Sequence, residues 1–291
     1  MDDMMNYAQS VYDKAVDENK ELASKGLEQK PLPELCHGHC DKHGDYTYIK
    51  APFFNMDICP MCSQEETERQ EEEDRKQETD RRNLLKNDEH HLQEMGIEPR
   101  YYDADWDKFI PEDKEPFHTL QVEAKDAVMK VVSDRSGSVV LLGGNGTRKT
   151  TLLSAALKNY GDGMITGVFE ASFMIRNSHS ETDPFTGMTI PSGFQFMMKM
   201  ASTPFLVLDE MGRQSVTDFE RNWISFVLRK RDDRKLPYAL AGNYPFKSMV
   251  GDNYKGLFMD DILGSDVMSR LNHSYICRVS GSDFRKLEGA K

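Results

Sequence analysis

A glycine-rich segment after a short apolar run has the residue types of a phosphate-binding loop. The run is Val139–Leu142, and the loop leads into Lys149 and Thr150. Glycines in such a loop let backbone N–H groups close around a polyphosphate, and the following helix N-terminus adds partial positive charge. Lys149 would reach the terminal phosphates, and Thr150 would offer a hydroxyl to Mg²⁺. The candidate nucleotide contacts are Gly143, Gly144, Asn145, Gly146, Thr147, Arg148, Lys149, Thr150 and Thr151.

Arg148 departs from the P-loop pattern, which has a second glycine immediately before the lysine. The residue keeps its backbone N–H, but its Cβ and long side chain enter a region where backbone normally approaches phosphate. Two alternatives therefore stay open. The loop either binds nucleotide despite Arg148, or it is a degenerate loop in a nucleotide-insensitive adaptor protein.

Two later apolar runs end in polar side chains, as expected of parallel strands whose carboxyl ends face a ligand. Residues 205–208 precede Asp209 and Glu210, and residues 238–241 precede Gly242 and Asn243. Asp209 would hold Mg²⁺ through water, and Glu210 would orient or deprotonate the water that attacks the γ-phosphate. Asn243 could hydrogen-bond that water, but an asparagine beside a glycine is equally typical of a turn.

In their order along the chain, these motifs resemble the AAA+ domain of DnaC-type replicative helicase loaders and their IstB-like relatives. The resemblance is carried by residues 206–214, 241–243, 263–271 and 282–285, and it covers roughly residues 97–287. It implies ATP binding, a hexameric replicative helicase as partner, single-stranded DNA as a second ligand and self-association through the AAA+ domain. An IstB-like transposition helper has the same motifs and is an alternative.

The same resemblance assigns roles to individual residues. Asn243 corresponds to sensor 1, Arg270 to the arginine finger that acts on a neighbouring subunit, and Arg285 to the sensor 2 arginine. It implies a role in DNA replication. The compact combination of modules is associated with a phage or prophage source.

Four of the five cysteines lie within one short segment. In a chain with no secretion signal, this spacing favours a metal site over disulfides. Cys59 and Cys62 form a C-x-x-C pair, and Cys40 and His43 form a C-x-x-H pair. We favour these four residues as a tetrahedral Zn²⁺ site, although Cys36 in place of His43 would complete a four-thiolate site.

Composition limits the remaining possibilities. The chain has 291 residues and a formal net charge of -12, which argues against coating nucleic acid by bulk electrostatics. The only dense basic cluster is residues 229–235, interpreted as a solvated helix end. No apolar run approaches the roughly 18 residues of a membrane span, and the basic start of a signal peptide is missing. We therefore expect a cytoplasmic protein with no membrane partner.

The sequence predicts an α/β fold: an AAA+ P-loop NTPase core with a parallel sheet flanked by helices, preceded by a small zinc-binding module and a charged helix. Its strands are expected at residues 139–142, 166–169, 205–208 and 238–241, and residues 176–192 are expected to form a loop. The expected parts are an N-terminal helix in residues 1–34, a zinc-binding module in 35–62, a charged helical linker in 63–96 and an AAA+ ATPase domain in 97–291.

Overall fold

The computed structural model describes residues 7–50, 59–177, 180–182, 189–212, 217–250, 256 and 258–284. Its contacts divide the chain into two compact units, Met1–Arg81 and Arg82–Lys291. The finer four-part division expected from the sequence stays a prediction. In the described part of the chain, no helix is both long enough and apolar enough to cross a membrane.

The first unit contains a helix, a β-hairpin and the start of a long charged helix. Helix α1 is Tyr7–Ser24, and strands β1 (Glu34–Cys40) and β2 (Gly44–Lys50) pair antiparallel. Helix α2 is Pro60–Leu85 and buries none of its residues. The surface of α2 carries exposed ion pairs between side chains three residues apart, such as Arg69 with Glu66. Each such pair contributes little to stability.

The second unit is built on a five-stranded parallel sheet. Its strands are β3 (Ser138–Leu142), β4 (Met164–Gly167), β7 (Leu206–Met211), β8 (Tyr238–Gly242) and β9 (Tyr275–Arg278). Their order across the sheet is β4-β7-β8-β3-β9. The strand predicted at 166–169 starts two residues earlier, and β9 was not predicted.

Helices cover both faces of this sheet, and alternate strand residues face them. Val139 and Leu141 belong to the core on one face, and Val140 and Leu142 belong to the core on the other. The predicted fold class is confirmed by this arrangement. The helices of the second unit are α3 (Glu89–Glu94), α4 (Phe117–Asp134), α5 (Lys149–Tyr160), α6 (Val168–Asn177), α7 (Ser192–Ser202), α8 (Asp218–Asp233) and α9 (Met259–Arg270).

The expected loop over residues 176–192 contains regular structure. Strands β5 (Ser180–Thr182) and β6 (Thr189–Pro191) pair antiparallel, while residues 178–179 and 183–188 lie outside the described part. Helix α6 continues to Asn177 and α7 begins at Ser192. The prediction of a plain loop was therefore wrong, because serine and glycine content alone does not exclude a short hairpin.

Arg231 corrects the interpretation of residues 229–235 as a wholly solvated cluster. Its side chain is fully buried in α8, with 0% exposure. The guanidinium donates to four backbone carbonyls, those of Met200, Thr203, Pro204 and Pro237, at 2.5–3.2 Å. Burial lowers the pKa of Arg231 to about 10. Arg231 therefore ties the ends of neighbouring elements together and cannot contact DNA.

We predict that Arg231→Met lowers the free energy of unfolding of the second unit by about 3 kcal/mol or more, because four buried carbonyls lose their donor. Arg229→Met, on the exposed side of the same helix, should change it by less than about 0.5 kcal/mol. Both tryptophans, Trp106 and Trp223, lie in this unit, so urea titration followed by tryptophan fluorescence measures it directly. Equal losses in the two variants would contradict the prediction.

Candidate functional site

A cavity of about 720 Å³ lies where β3, β7 and β8 end. Parallel strands present their carboxyl ends at one edge of a sheet, which is where ligands of such folds bind. The cavity brings together residues 144–151, Asp209, Glu210 and Asn243. Gly143 belongs to the same loop, but it is not among the lining residues.

Thr150 and Asp209 form the polar centre of the cavity. Thr150 lies in the first turn of α5 and donates its hydroxyl to Asp209 Oδ2 at 2.6 Å. Burial raises the pKa of the Asp209 carboxyl, and the hydrogen bond from Thr150 opposes this effect. A threonine hydroxyl beside a carboxylate is an oxygen donor set that suits Mg²⁺ held together with a phosphate. These two side chains therefore fit the predicted magnesium site.

Glu210 is exposed at the cavity, and its backbone has an unusual conformation. Its φ is 56°, in the left-handed region that non-glycine residues rarely adopt. The pairing of β7 with β8 shifts register between Leu208 and Met211, so the strand is irregular at this point. Glu210 N–H donates to Asp209 Oδ1 at 2.7 Å. Backbone strain of this kind is concentrated at functional sites. An irregularity in a strand also turns a side chain away from the regular strand direction.

Lys149 places a positive charge at the floor of the cavity. Its side chain is buried, and its Nζ donates to the carbonyls of Gly143 at 2.7 Å and Gly144 at 2.8 Å. The N-terminus of α5 adds the partial positive charge of the helix dipole. The floor therefore suits a polyphosphate.

Arg148 lies at the start of α5 with its backbone in the left-handed region, at φ 65° and ψ 21°. A P-loop glycine at this position would adopt such a conformation without strain. The guanidinium contacts the backbone of residues 108–110. Its terminal nitrogens are thus hydrogen-bonded to protein carbonyls within the chain.

The segment before α4 supplies a wall of the cavity that the sequence did not predict. Arg100, Tyr101, Asp103 and Lys108 are among the lining residues. Burial raises the pKa of Tyr101. In the sequence, this wall corresponds to a dense run of aromatic and charged residues just before the core. That run contains no spacing motif that would predict a ligand site.

The described residues do not test the roles of the two predicted arginines. Arg270 is not among the lining residues, and its guanidinium is 3.7 Å from Asp232 Oδ2 of the same chain. An arginine finger acts on a neighbouring subunit, so its place in a single chain does not test that role. Arg285 lies outside the described residues. Both roles stay predictions.

The predicted metal ligands form a compact group in the first unit. The ligand atoms of Cys40, His43, Cys59 and Cys62 all lie within 4.8 Å of one another. The turn between β1 and β2 carries Cys40 and His43, and the start of α2 carries Cys59 and Cys62. Cys36 is not in the group; it precedes Cys40 by four residue steps on β1, which is about 13 Å along the strand. Three thiols and an imidazole fit Zn²⁺.

Further side chains and N–H groups orient these ligands. His43 Nδ1 faces the thiols, at 3.4 Å from Cys62 Sγ, and its Nε2 is 3.2 Å from Glu65 Oε1. A carboxylate on the second ring nitrogen is the usual partner of a metal-binding histidine. Hydrogen bonds from the backbone N–H groups of His43 and Lys42 lower the pKa of Cys40 to about 6. Cys40 therefore favours the thiolate that zinc requires, whereas its hydrogen bond with Cys62 raises the pKa of Cys62 to about 11.

The sequence matches no protein-family model and no curated protein. Among solved structures, the chain is similar to the DnaC helicase loader, with 19% identity over 63% of this chain and 100% of that one and a TM-score of 0.49. It is similar to DnaI, with 17% identity over 64% and 93% of the two chains and a TM-score of 0.45. AMPPCP-bound DnaA from Aquifex aeolicus follows at 16% identity, 66% and 55% coverage and a TM-score of 0.44. At these identities the similarities concern the fold alone.

We predict that the purified protein contains stoichiometric zinc by elemental analysis, and that His43→Ala lowers its zinc content because one of four ligands is lost. Cys36→Ala should keep the metal. His39→Ala is a matched histidine control, since His39 contacts Asp45 and is outside the ligand group. Zinc that is lost in Cys36→Ala but kept in His43→Ala would assign a four-thiolate site instead.

Proposed function

We propose that the chain is an ATP-dependent loader that binds a hexameric replicative helicase and helps to place it on single-stranded DNA during DNA replication. The observation that carries the nucleotide-binding part is the convergence of Lys149, Thr150, Asp209, Glu210 and Asn243 on one cavity. The loader part is supported by the ordered motifs that resemble DnaC-type proteins. Self-association through the AAA+ domain, with Arg270 at the subunit boundary, belongs to the same proposal.

The residues of the cavity have separate roles in this proposal. Lys149 and the loop N–H groups hold the phosphates of ATP, and Thr150 with Asp209 holds Mg²⁺. The bound Mg-ATP supplies the phosphoryl group and the charge that the site must neutralise. Glu210 accepts a proton from water at its exposed carboxylate, and Asn243 orients that water by a hydrogen bond. Arg285 is proposed as the sensor 2 residue.

A nucleotide-insensitive adaptor is the alternative that Arg148 raised. Two observations favour the nucleotide switch over it. The Thr150–Asp209 hydrogen bond is intact, and the Arg148 guanidinium is engaged with protein carbonyls. The residues of a magnesium site would have no evident use in a protein that never binds nucleotide.

Zinc in the first unit is part of the proposal as a structural metal. The cysteine and histidine ligands join the β1–β2 turn to the start of α2, so the metal would fix these elements relative to each other. By the resemblance, the N-terminal region engages the helicase. The unit would then act as a binding module, and chemistry would be confined to the second unit.

Substitutions in the cavity test the enzymatic part. Lys149→Ala should weaken Mg-ATP binding at least about tenfold, because a charge-assisted phosphate contact is lost. Glu210→Gln should bind Mg-ATP normally and lower the hydrolysis rate by at least about a hundredfold. Calorimetric titration and a phosphate-release assay measure these effects. Lys199→Ala and Glu123→Gln, at exposed positions away from the cavity, are the matched controls.

Binding to a replicative helicase tests the loader part of the proposal. We expect a purified hexameric replicative helicase to be retained by the immobilised full chain, and the two proteins together to place the helicase on single-stranded DNA. An unrelated hexameric ATPase is the control for nonspecific retention. Failure to retain the helicase, together with ATP hydrolysis stimulated by duplex DNA, would replace the loader with an IstB-like transposition helper.

A further inference from the structure

Arg148 occupies a backbone conformation that normally requires glycine. Its φ of 65° lies in the left-handed region, where a side chain is strained. A strained residue of this kind persists when its surroundings hold it in place. The contacts of the Arg148 side chain therefore hold this conformation in place.

The guanidinium of Arg148 contacts two backbone carbonyls and two aromatic rings. It donates to the carbonyls of Lys108 at 2.5 Å and Ile110 at 3.0 Å. Its Cζ is 4.9 Å from the ring centre of Phe109 and 4.7 Å from that of Phe284. A planar guanidinium combines two parallel hydrogen bonds with stacking, which the compact ammonium of lysine cannot do.

These contacts join two segments that are far apart in the sequence. Phe109 is buried and belongs to the segment that supplies one cavity wall. Phe284 lies in the chain that follows β9, and its N–H donates to the carbonyl of Gly146 in the P-loop at 3.2 Å. Glu112 accepts hydrogen bonds from Ser282 N–H at 2.7 Å and from the Ser282 hydroxyl at 2.9 Å. Both segments thus meet at the phosphate-binding loop.

We infer that Arg148 is a positioning residue of the nucleotide site, which holds residues 106–110 and 279–284 against the P-loop. The inference rests on the proposed nucleotide binding. It reverses the expectation from the motif, since the side chain contacts Phe109 and Phe284 of these two segments. Restoring the glycine of the motif should then weaken nucleotide binding.

The physical reason is preorganisation. With Arg148 in place, the two segments are already ordered around the cavity before a ligand arrives. A glycine would remove the backbone strain, but it would also remove both hydrogen bonds and both stacking contacts. The segments would then lose conformational freedom on binding, and this loss reduces affinity.

The chain contains a matched control for this substitution. Arg135 ends α4 in the same left-handed conformation, with φ 49°. Its Cζ is 3.8 Å from the ring centre of Tyr160, and its Nη1 donates to the Tyr160 carbonyl at 3.3 Å. Arg135→Gly therefore makes the same chemical change, with the same relief of strain and loss of stacking, away from the cavity.

The test measures Mg-ATP affinity by calorimetry in the full chain carrying Arg148→Gly, Arg148→Lys or Arg135→Gly. We expect the two changes at 148 to weaken binding about tenfold, the effect of 1.4 kcal/mol, and Arg135→Gly to change it less than about twofold. Hydrogen exchange without nucleotide provides the second readout. Amides of residues 106–110 and 279–284 should exchange faster in Arg148→Gly and at the wild-type rate in Arg135→Gly.

The outcomes separate this inference from the proposed function. Wild-type binding with unchanged or tighter binding in Arg148→Gly would overturn the inference and leave the proposed function intact. Binding that appears only in Arg148→Gly would overturn the inference as well, because the arginine would then be an obstruction. If neither protein binds Mg-ATP, the proposed function fails, and the exchange rates alone decide whether Arg148 holds the two segments.

Discussion

The hydrogen bond between Thr150 and Asp209 is the interaction on which the proposed nucleotide site depends. Burying a carboxylate is costly unless polar partners compensate for the lost water. Asp209 accepts hydrogen bonds from the Thr150 hydroxyl and the Glu210 N–H, and the positive charge of Lys149 stabilises its carboxylate. These partners lie at the end of one strand and the start of the helix after another. The bond therefore fixes the distance between the two parts of the sheet edge that a magnesium nucleotide would have to bridge.

The glycines of the P-loop serve the protein's own packing as well as the cavity. A Cβ on Gly143 would lie 1.8 Å from the carbonyl oxygen of Val279, and one on Gly146 would lie 1.8 Å from Asp283 Oδ1. The chain after β9 thus passes close over the loop. Such close approach explains why the loop does not tolerate a side chain at these two glycines.

The sequence predicted the structure best where an apolar strand pattern is followed directly by a functional motif. Apolar runs that end in polar residues predicted four strands of the sheet and the site at their ends, because burial on both faces leaves a continuous apolar signal. Strand β9 has a weaker signal, since its residues are half-buried or exposed at the sheet edge. The cavity wall at Arg100 and Tyr101 and the burial of Arg231 depend on tertiary contacts. Such contacts cannot be predicted from a local sequence pattern. A run of charged residues looks like an exposed surface even when one of its side chains is buried.

The two units differ in what stabilises them. Among the described residues of the first unit, only Ala8, Tyr46 and Cys59 are buried hydrophobic residues, whereas the second unit has a hydrophobic core on each face of its sheet. A core this small cannot offset the conformational entropy of ordering a hairpin and two helices. The ligand group of Cys40 and its three partners supplies cross-links between these elements once a metal binds. In the proposed function, zinc would therefore stabilise the first unit, while the second unit folds on its own core and binds the nucleotide, so the two ligands would act on separate parts of the chain.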